Sequence, residues 1–499
     1  MFRVSLSFLA VSLLCLGLAD IEITTLDPWQ EMRRIAVGFL TPDVTVLYSI
    51  REAMLNTVTF AFCGIAVGVG VGSVLALFFH LTAVRLLCAF VRAIHEIFWA
   101  FLFLPVVGLN PMCGILAIGI PYAGVFAKVY AEILQEADQK PLKGLPAHTG
   151  RLSRFFYGVL PVIYGDVKHY TSYRLECALR SSAILGFIGL PTLGFHLETA
   201  FREDLYSQAP AMLYAFYLLI ASLRLWVKPK LVLVYVAASF TLVSTEINLR
   251  WDNITRFLGH DILPWPMRRA GFLDGSGEIS FPAGQVWQWA VDIVRTEALP
   301  GMWNTVVLTQ VVLAGSGLFA LIFFGTISRH FVRRRRFRGL SHYVLIVLRT
   351  TPEYILAYAF LHLWGPSMLP AIVAILLHNG AILSYLTGQN ANLVRLRMDS
   401  ARGKANRYFY EVLPRVYGQF LAFLFYRWEV MMRESAILGI LGIYTIGFFI
   451  DSAIADDRVD KAVFLIGVTA LLNMGIDSIS QIIRRRLRVS AGTVFTCQE

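Results

Sequence analysis

The stretch YRLECALRSSAILGFIGLPTLGF, residues 173–195, occurs a second time in this chain as YRWEVMMRESAILGILGIYTIGF, residues 426–448. The two copies align without a gap at an offset of 253 residues, and 13 of their 23 positions are identical. Because this offset is about half of the 499-residue chain, the repeat indicates an internal duplication. In a chain of membrane-protein composition, such a duplication predicts two pseudo-symmetric halves with the functional centre between them.

The composition indicates that most of the chain is not solvated by water. Hydrophobic residues make up 57% of it, charged residues make up 15%, and the mean hydropathy is +0.63, which predicts a polytopic membrane protein. The net charge of +11 comes from Lys and Arg clusters between apolar segments, which the positive-inside rule explains without a nucleic-acid partner. The six cysteines contain no CxxC pair, so we expect small hydrophobic side chains rather than disulfides or metal ligands.

We predict an all-α fold with about twelve transmembrane helices, arranged as two parallel six-helix repeats. The first repeat covers residues 1–228 with spans 1–6. The second covers residues 229–490 with spans 7–12 and an outer segment at about 247–300, and residues 491–499 form a C-terminal tail. In the second half the spans are expected near 231–246, 303–325, 342–363, 367–387, 416–442 and 462–477.

The first twenty residues admit two interpretations. They resemble a cleaved signal peptide, with a basic residue, an apolar stretch and a small-residue end. The second half, however, begins with an equivalent apolar run at 231–244, and an internal helix cannot be a signal peptide. The duplication therefore favours a retained first helix.

The loop SRHFVRRRRFRG, residues 328–339, is the strongest marker of membrane topology. Its arginines predict a cytoplasmic position, and counting spans outward from it places both termini and the connections 135–157 and 389–414 on that side. Six spans per half is an even number, so the two repeats insert in the same orientation. The polar segment 20–54 then lies outside, either as an amphipathic helix on the membrane surface or as a helix packed in an outer cap.

Shorter echoes accompany the main repeat. Asn-Thr-Val at 56–58 returns at 304–306, each time at the start of the second span of its half. RFFYGVLP at 154–161 returns as RYFYEVLP at 407–414. These echoes favour duplication over a chance match.

Each copy of the main repeat carries a glutamate four residues before an arginine, and a tyrosine three residues before the glutamate. The residues are Tyr173, Glu176 and Arg180 in the first copy, and Tyr426, Glu429 and Arg433 in the second. Side chains at i and i+4 share a helix face, so we predict Glu–Arg ion pairs that face the bundle interior, where a paired charge costs less than a lone one. Two interpretations stay open: a pair that locks helices together, or a direct role at the translocation path.

The half-repeat resembles the permease subunit of type I ABC importers, specifically the phosphonate-type branch, with two permease copies fused in tandem. The matching text is RAIHEIFWAFLFLPVVGLNPMCGILAIGI at 92–120, GVFAKVYAEIL at 124–134, RFFYGVLP and the repeated stretch. The resemblance covers both halves, about four-fifths of the chain, and is stronger in the first. It implies a multi-pass protein of the bacterial inner membrane. The implied partners are two copies of a cytoplasmic ATP-binding subunit and a periplasmic or lipid-anchored substrate-binding protein.

The family also uses a cytoplasmic loop to contact its ATPase. The resemblance implies that coupling contacts here involve Gly150, Pro161, Gly403 and Pro414. The Glu-Ala part of the family's EAA-type loop is not legible at 142–150 or at 398–406. The assignment therefore rests on the glycines and prolines alone.

The sequence predicts a transport subunit that is not an enzyme and has no cofactor or metal site. It contains no GxxxxGK[ST] loop, so ATP has to be bound by a partner, and HExxH, CxxC and GxSxG do not occur. The predicted function is import of a small oxyanion of the phosphonate or phosphate class, and the arginines of the repeat are compatible with an anion path. One alternative is a secondary transporter driven by an ion gradient, with Glu176 and Glu429 as proton sites. Another is a membrane scaffold or export permease with the same fold.

Overall fold

The computed structural model describes residues 2–25, 27–137, 149–243, 250–269, 282–397 and 403–487. Every regular element in these ranges is helical, which confirms the all-α prediction. The predicted tail 491–499, the loop residues 138–148 and 398–402, and residues 244–249 and 270–281 of the outer segment lie outside the described residues. The α-helices in chain order are α1 (Phe2–Leu18), α2 (Pro28–Leu40), α3 (Val46–Ser49), α4 (Arg51–Leu77), α5 (Thr82–Ala93), α6 (Glu96–Val107), α7 (Pro111–Glu136), α8 (Arg151–Arg154), α9 (Leu160–Ile184), α10 (Leu193–Arg202), α11 (Gln208–Trp226), α12 (Val232–Val243), α13 (Trp251–Arg256), α14 (Trp265–Arg269), α15 (Ala283–Ile293), α16 (Leu299–Ile327), α17 (Arg335–Thr350), α18 (Glu353–Trp364), α19 (Met368–Leu393), α20 (Lys404–Asn406), α21 (Leu413–Ile437), α22 (Ile446–Ala455) and α23 (Val459–Leu487).

Five helices in the described ranges are long and apolar enough to cross a membrane. They are α4, α7, α19, α23 and the continuous helix Ala283–Ile327, in which a π-helical turn joins α15 to α16. Four bent pairs of helices also pass this test and raise the number to nine. Three shorter apolar helices, in α1, in α11 and at Pro229–Val243, are further candidates, so the total of twelve spans stays a prediction.

Two of the bent pairs form right-angled corners. Helices α5 and α6 meet at 92°, and so do α17 and α18. The predicted span 342–363 therefore consists of two helices that meet at a corner. Thr351 precedes Pro352, and the residue before a proline is sterically driven out of the helical region, here to ψ 122°. The chain cannot continue α17 through this position, so it turns and starts α18.

The connections that follow α6 and α18 are built alike. Gly108 (φ +76°) and Gly365 (φ +83°) end the two helices in backbone conformations that glycine adopts at low cost. Asn110 and Ser367 then cap α7 and α19, because each side chain accepts a hydrogen bond from a backbone N–H two residues later, at 3.0 and 3.3 Å. Both sequence halves therefore place their long central helix, α7 or α19, in the same local way.

Packing divides the chain into two compact units. The first unit contains the described residues of Pro42–Ile254. At its centre α4 packs along α7, and this close approach depends on glycine. A Cβ atom at Gly72 would lie 2.6 Å from the Phe126 Cβ and 2.8 Å from the Ala123 carbonyl oxygen, so no larger residue fits without moving α7.

The second unit contains the described residues of Met1–Thr41 and Thr255–Gly492. At its centre α16 packs along α19, and α21 contacts both. Helix α1 belongs to this unit. The Ser12 hydroxyl donates to the Gln310 carbonyl at 2.8 Å, and the Phe8 ring meets the rings of Phe425 and Trp428 at 5.1 and 5.4 Å.

Each unit therefore includes the first helix of the other sequence half. Just as α1 packs in the second unit, α12 packs against α4 in the first, where the Tyr235 and Phe62 rings are 5.7 Å apart. The packing units do not coincide with the repeats 1–228 and 229–490. The division into those two repeats rests on the correspondence between the two halves of the sequence, and it stays a prediction.

Candidate functional site

Each copy of the repeated stretch forms a broken helix. Helix α9 runs into a 3-10 turn at Leu185–Ile188, and α21 runs into one at Leu438–Leu441. Gly189 (φ +91°) and Gly442 (φ +82°) end these turns in the left-handed region. Helices α10 and α22 then leave at 51° and 45° to the preceding segments. Glycine suits these breaks, because it adopts the left-handed conformation at low cost.

The Asn-Thr echoes hold these breaks in place. Asn56 and Thr57 lie on α4, and their side chains bond the backbone just after the first break, at 3.1 and 3.0 Å. Asn304 and Thr305 on α16 make the equivalent bonds after the second break, at 2.8 and 3.1 Å. In each unit the amide donates to a carbonyl and the hydroxyl accepts from an N–H, so backbone groups freed by the break are satisfied.

The six residues predicted for the translocation path all lie on α9 and α21. They are Tyr173, Glu176 and Arg180 on α9, and Tyr426, Glu429 and Arg433 on α21. The two tyrosines are each 45% exposed, Glu429 is buried, and the other three are half-buried. Arg180 Nη2 donates to the Cys177 sulfur at 3.5 Å, and the Glu–Arg ion pairs within each copy stay a prediction. A role at the path stays a prediction.

The carboxylate that pairs on α21 is Glu434, seven residues after Arg427 and therefore on the same side of the helix. Arg427 Nη2 lies 3.1 Å from Glu434 Oε1. Arg427 Nε donates to Asn379 Oδ1 at 2.7 Å, and Asn379 Nδ2 donates to Glu434 Oε2 at 2.7 Å. Asn379 is fully buried, and the side chains of Arg427 and Glu434 are 16% and 8% exposed. These three residues, which we call the Arg427 ring, satisfy both carboxylate oxygens and pair the buried charge.

An acid–base pair adjoins the Arg427 ring. His378 Nδ1 lies 2.9 Å from the Thr351 carbonyl oxygen, which can only accept, so Nδ1 carries a hydrogen and donates it. The other ring nitrogen, Nε2, faces Glu353 Oε2 at 3.8 Å. Both side chains are buried.

The same region contains a possible metal-binding set. One ligand atom from each of Glu353, His378 and Glu434 lies within 4.8 Å of the others. Carboxylates and a histidine with its other nitrogen bonded to a carbonyl are donors that a divalent transition metal accepts. Both oxygens of Glu434, however, already accept hydrogen bonds from Arg427 and Asn379. A metal would have to displace those donors, so the geometry favours a charge-paired network over a metal centre.

The first unit builds the corresponding place from different residues. Arg174 corresponds to Arg427 at the repeat offset, and Tyr122 holds the position on α7 that Asn379 holds on α19. Arg174 Nε donates to the Tyr170 hydroxyl at 2.9 Å. Its guanidinium lies 5.6, 5.4 and 5.9 Å from the ring centres of Tyr122, Tyr170 and Tyr173. We call this arrangement the Arg174 cage.

A chain of polar contacts lies beside the Arg174 cage. Ser181 stands where the second unit has Glu434, and its hydroxyl lies 3.4 Å from both the Tyr122 hydroxyl and Glu96 Oε1. The other oxygen of Glu96 lies 3.0 Å from His95 Nε2. The first unit therefore keeps an acid–histidine pair at this level but has no carboxylate at position 181.

The partners on α7 and α19 were not predicted. Tyr122 and Asn379 differ between the halves, so the internal repeat does not mark them, and Arg174 and Arg427 were considered only among the arginines of the repeat. The available signal was the adjacent pair His378-Asn379 inside the otherwise apolar span 367–387. Polar residues within a membrane helix generally face other helices and find partners there.

The four residues assigned to coupling lie at the start of the helices that carry the repeat. Pro161 and Pro414 occupy the first turn of α9 and α21, where the missing N–H of proline is tolerated. Gly150 and Gly403 have open space around them, and Gly403 has φ +99°. The parts of the loops at 142–148 and 398–402 lie outside the described residues.

A π-helical turn precedes each proline. The turns are Phe155–Val159 and Arg407–Val412. They present Tyr157 and Tyr410, each 80% exposed, at the same relative position. The two units thus carry matching exposed aromatic patches beside the predicted coupling loops.

Comparison with known proteins identifies a common family. The family described as binding-protein-dependent transport system inner membrane component matches residues 321–489. This match lies in the second half, although the motifs of the resemblance are clearer in the first. No solved structure matches the chain.

Three relatives illustrate the similarity. The phosphate-import permease protein PhnE of Mycolicibacterium smegmatis is 24% identical over 419 residues, which are 81% of this chain and 77% of that protein. The phosphite transport system permease protein PtxC of Stutzerimonas stutzeri is 25% identical over 225 residues, 42% of this chain and 81% of that protein. A protein of Escherichia coli strain K12 named as a cryptic phosphonate transport system permease, PhnE2, is 32% identical over 100 residues, 20% of this chain and 81% of that protein.

Proposed function

The chain belongs to the family of binding-protein-dependent transport system inner membrane components, and we propose that it is the permease subunit of an ABC importer for a small phosphorus oxyanion. One observation carries the proposal. The match to the phosphate-import permease PhnE spans 81% of this chain and therefore extends over both halves. Relatives named for phosphite and phosphonate transport belong to the same chemical class.

The length of the relatives supports a fused pair of permease copies. The PtxC match covers 81% of that protein but 42% of this chain, so this chain is nearly twice as long. The matching corners, broken helices and Asn-Thr bonds of the two units agree with a duplication. We propose that the two halves together do the work of a permease pair.

We propose that a separate ATPase binds next to the π-helical turns. The sequence has no phosphate-binding loop, so ATP hydrolysis has to come from another chain. Exposed aromatic residues at Tyr157 and Tyr410 offer two equivalent contact patches, one per ATPase copy. Aromatic anchors of this kind commonly contribute most to a protein interface. An external substrate-binding protein would deliver the oxyanion.

The chain is a multi-pass protein of the inner membrane, and we propose that both termini are cytoplasmic. Two predicted cytoplasmic loops meet at one end of the second unit, since the Arg329 backbone N–H donates to Asn392 Oδ1 at 2.9 Å. Thr24 lies in a segment predicted to be external, and it packs at the α18–α19 corner. There the Thr24 N–H donates to the Trp364 carbonyl at 2.9 Å. These two places are at opposite ends of α19, as the proposed topology requires.

Uptake by the complete transporter tests the function. The chain would be produced together with its cytoplasmic ATPase and its binding protein, and uptake of labelled phosphate, phosphite and methylphosphonate would be measured. We expect ATP-dependent uptake of at least one of them, and its loss when the ATPase is inactivated. Uptake that continues without the ATPase and stops with an uncoupler would instead establish an ion-gradient transporter.

A further inference from the structure

We propose that the Arg174 cage is an oxyanion-binding subsite of the first unit, and that the equivalent place in the second unit is closed by its own carboxylate, Glu434. This inference rests on the proposed function, because it names residues that would hold the phosphorus oxyanion on its way through the membrane. It assigns the two halves different roles. The first half binds the anion, and the second half provides a permanently neutralised copy of the same position.

The first step is the charge of Arg174. Among the residues that the structure describes, no carboxylate lies within ion-pair distance of its guanidinium; its hydrogen bond goes to the neutral Tyr170 hydroxyl at 2.9 Å. Three tyrosine rings at 5.4–5.9 Å stabilise the cation only in part, by cation–π attraction. An arginine in a membrane helix generally pairs with a counter-ion or a substrate, because an isolated charge is costly there. A transported anion is the counter-ion that this position lacks.

The second step is the comparison with the Arg427 ring. There the guanidinium at the same repeat position has a carboxylate at 3.1 Å, and Asn379 donates to the other carboxylate oxygen at 2.7 Å. Glu434 thus occupies an oxyanion site made by an arginine and a neutral donor. In the first unit Ser181 replaces Glu434 and Tyr122 replaces Asn379. The first unit therefore keeps an arginine and a neutral donor but has no carboxylate at the position of Glu434.

The donors of the Arg174 cage determine which ligand it can bind. The planar guanidinium matches two oxygens of a phosphate-type anion, and the Tyr122 hydroxyl can donate to another. Tyr173 is 45% exposed and adjoins Arg174, so the cage lies near the surface of its unit. Glu96 lies 3.4 Å beyond the Ser181 hydroxyl and repels an anion from that side. The subsite therefore fits a small tetrahedral oxyanion held on the tyrosine side of Arg174.

Substitutions at positions 174 and 181 test the subsite in the complete transporter. Arg174→Gln removes the cation, and Ser181→Glu places the second unit's carboxylate beside Arg174. Ser181→Gln adds a side chain of similar size without the charge, and Arg85→Gln removes one exposed positive charge elsewhere in the first unit. Membrane abundance and uptake of labelled phosphate, phosphite and methylphosphonate would be measured for each.

At equal abundance, we expect Arg174→Gln and Ser181→Glu to lower the maximal uptake rate at least about tenfold, as the loss of a charged hydrogen bond implies. Ser181→Gln should transport clearly better than Ser181→Glu, and Arg85→Gln should match the wild type. Wild-type rates in both Arg174→Gln and Ser181→Glu would overturn the subsite. If Arg174→Gln does not reach the membrane, equal uptake by Ser181→Glu and Ser181→Gln would overturn it. A wild-type transporter that moves no phosphorus oxyanion would refute the proposed function itself, which is a different result.

Discussion

Breaking the Arg427 ring should destabilise the second unit strongly. Arg427 Nη2 and Glu434 Oε1 are 3.1 Å apart, and both side chains are less than a fifth exposed. At an effective dielectric constant of about 20, their attraction is about 5 kcal/mol, most of which offsets the cost of burying two charges. The variant Arg427→Gln leaves Glu434 buried with Asn379 as its remaining donor. We therefore expect the free energy of unfolding to fall by about 3–5 kcal/mol.

A double variant separates charge from packing. In Arg427→Gln/Glu434→Gln the uncompensated carboxylate is gone, so most of the lost stability should return. Arg174→Gln is the matched single variant in the first unit. This variant leaves no buried carboxylate without its partner. Its free energy of unfolding should fall by about 1 kcal/mol, the scale of a cation–π contact. Reversible unfolding in mixed detergent micelles would measure all three. Equal instability of the Arg427 single and double variants would refute the reasoning, and so would a single-variant loss below about 1 kcal/mol.

Three further outcomes are expected. Gly72→Ala should reduce membrane abundance severely, because the added Cβ would lie 2.6 Å from the Phe126 Cβ, whereas Gly70→Ala has open space and should be neutral; a similar loss in both would contradict the close-packing argument. Intact-mass measurement of the purified protein should find α1 retained, because its buried residues contact other helices of the second unit. A mass lacking the first twenty residues would show cleavage instead. Partial burial and the nearby Arg329 lower the pKa of His330 below its usual 6.5, so the unfolded chain binds the proton more readily; stability should fall as the pH drops below about 6.5, and a His330→Asn variant should lose less over the same range.

The repeated text drew attention to the segments that form the broken helices and to the residues that support them, but it did not predict the breaks. The repeated Asn-Thr pairs lie where the structure makes the same bonds in both units. The repeated glycines lie at the breaks themselves. The right-angled corner at Thr351 was not predicted, although Pro352 supplies a local reason for it. The Glu–Arg spacing suggested pairs within one helix. The pair that the structure shows on α21 joins Arg427 to Glu434, seven residues apart, and Asn379 of the neighbouring helix α19 bonds both.

Local properties of the sequence were sufficient for the fold class, the membrane environment and the family, and they predict the duplication. Hydropathy and repeat spacing are carried by residues close together in the chain, and they survive without knowledge of packing. Only the tertiary structure decided that α1 packs in the second unit and α12 in the first, and that Asn379 on α19 joins Arg427 to Glu434. Those choices depend on which helices approach each other, and Asn379 is 55 residues away from Glu434 in the chain. Arg174 and Arg427 occupy the same position in the two copies, but among the described residues no carboxylate lies within ion-pair distance of Arg174, whereas Glu434 pairs with Arg427.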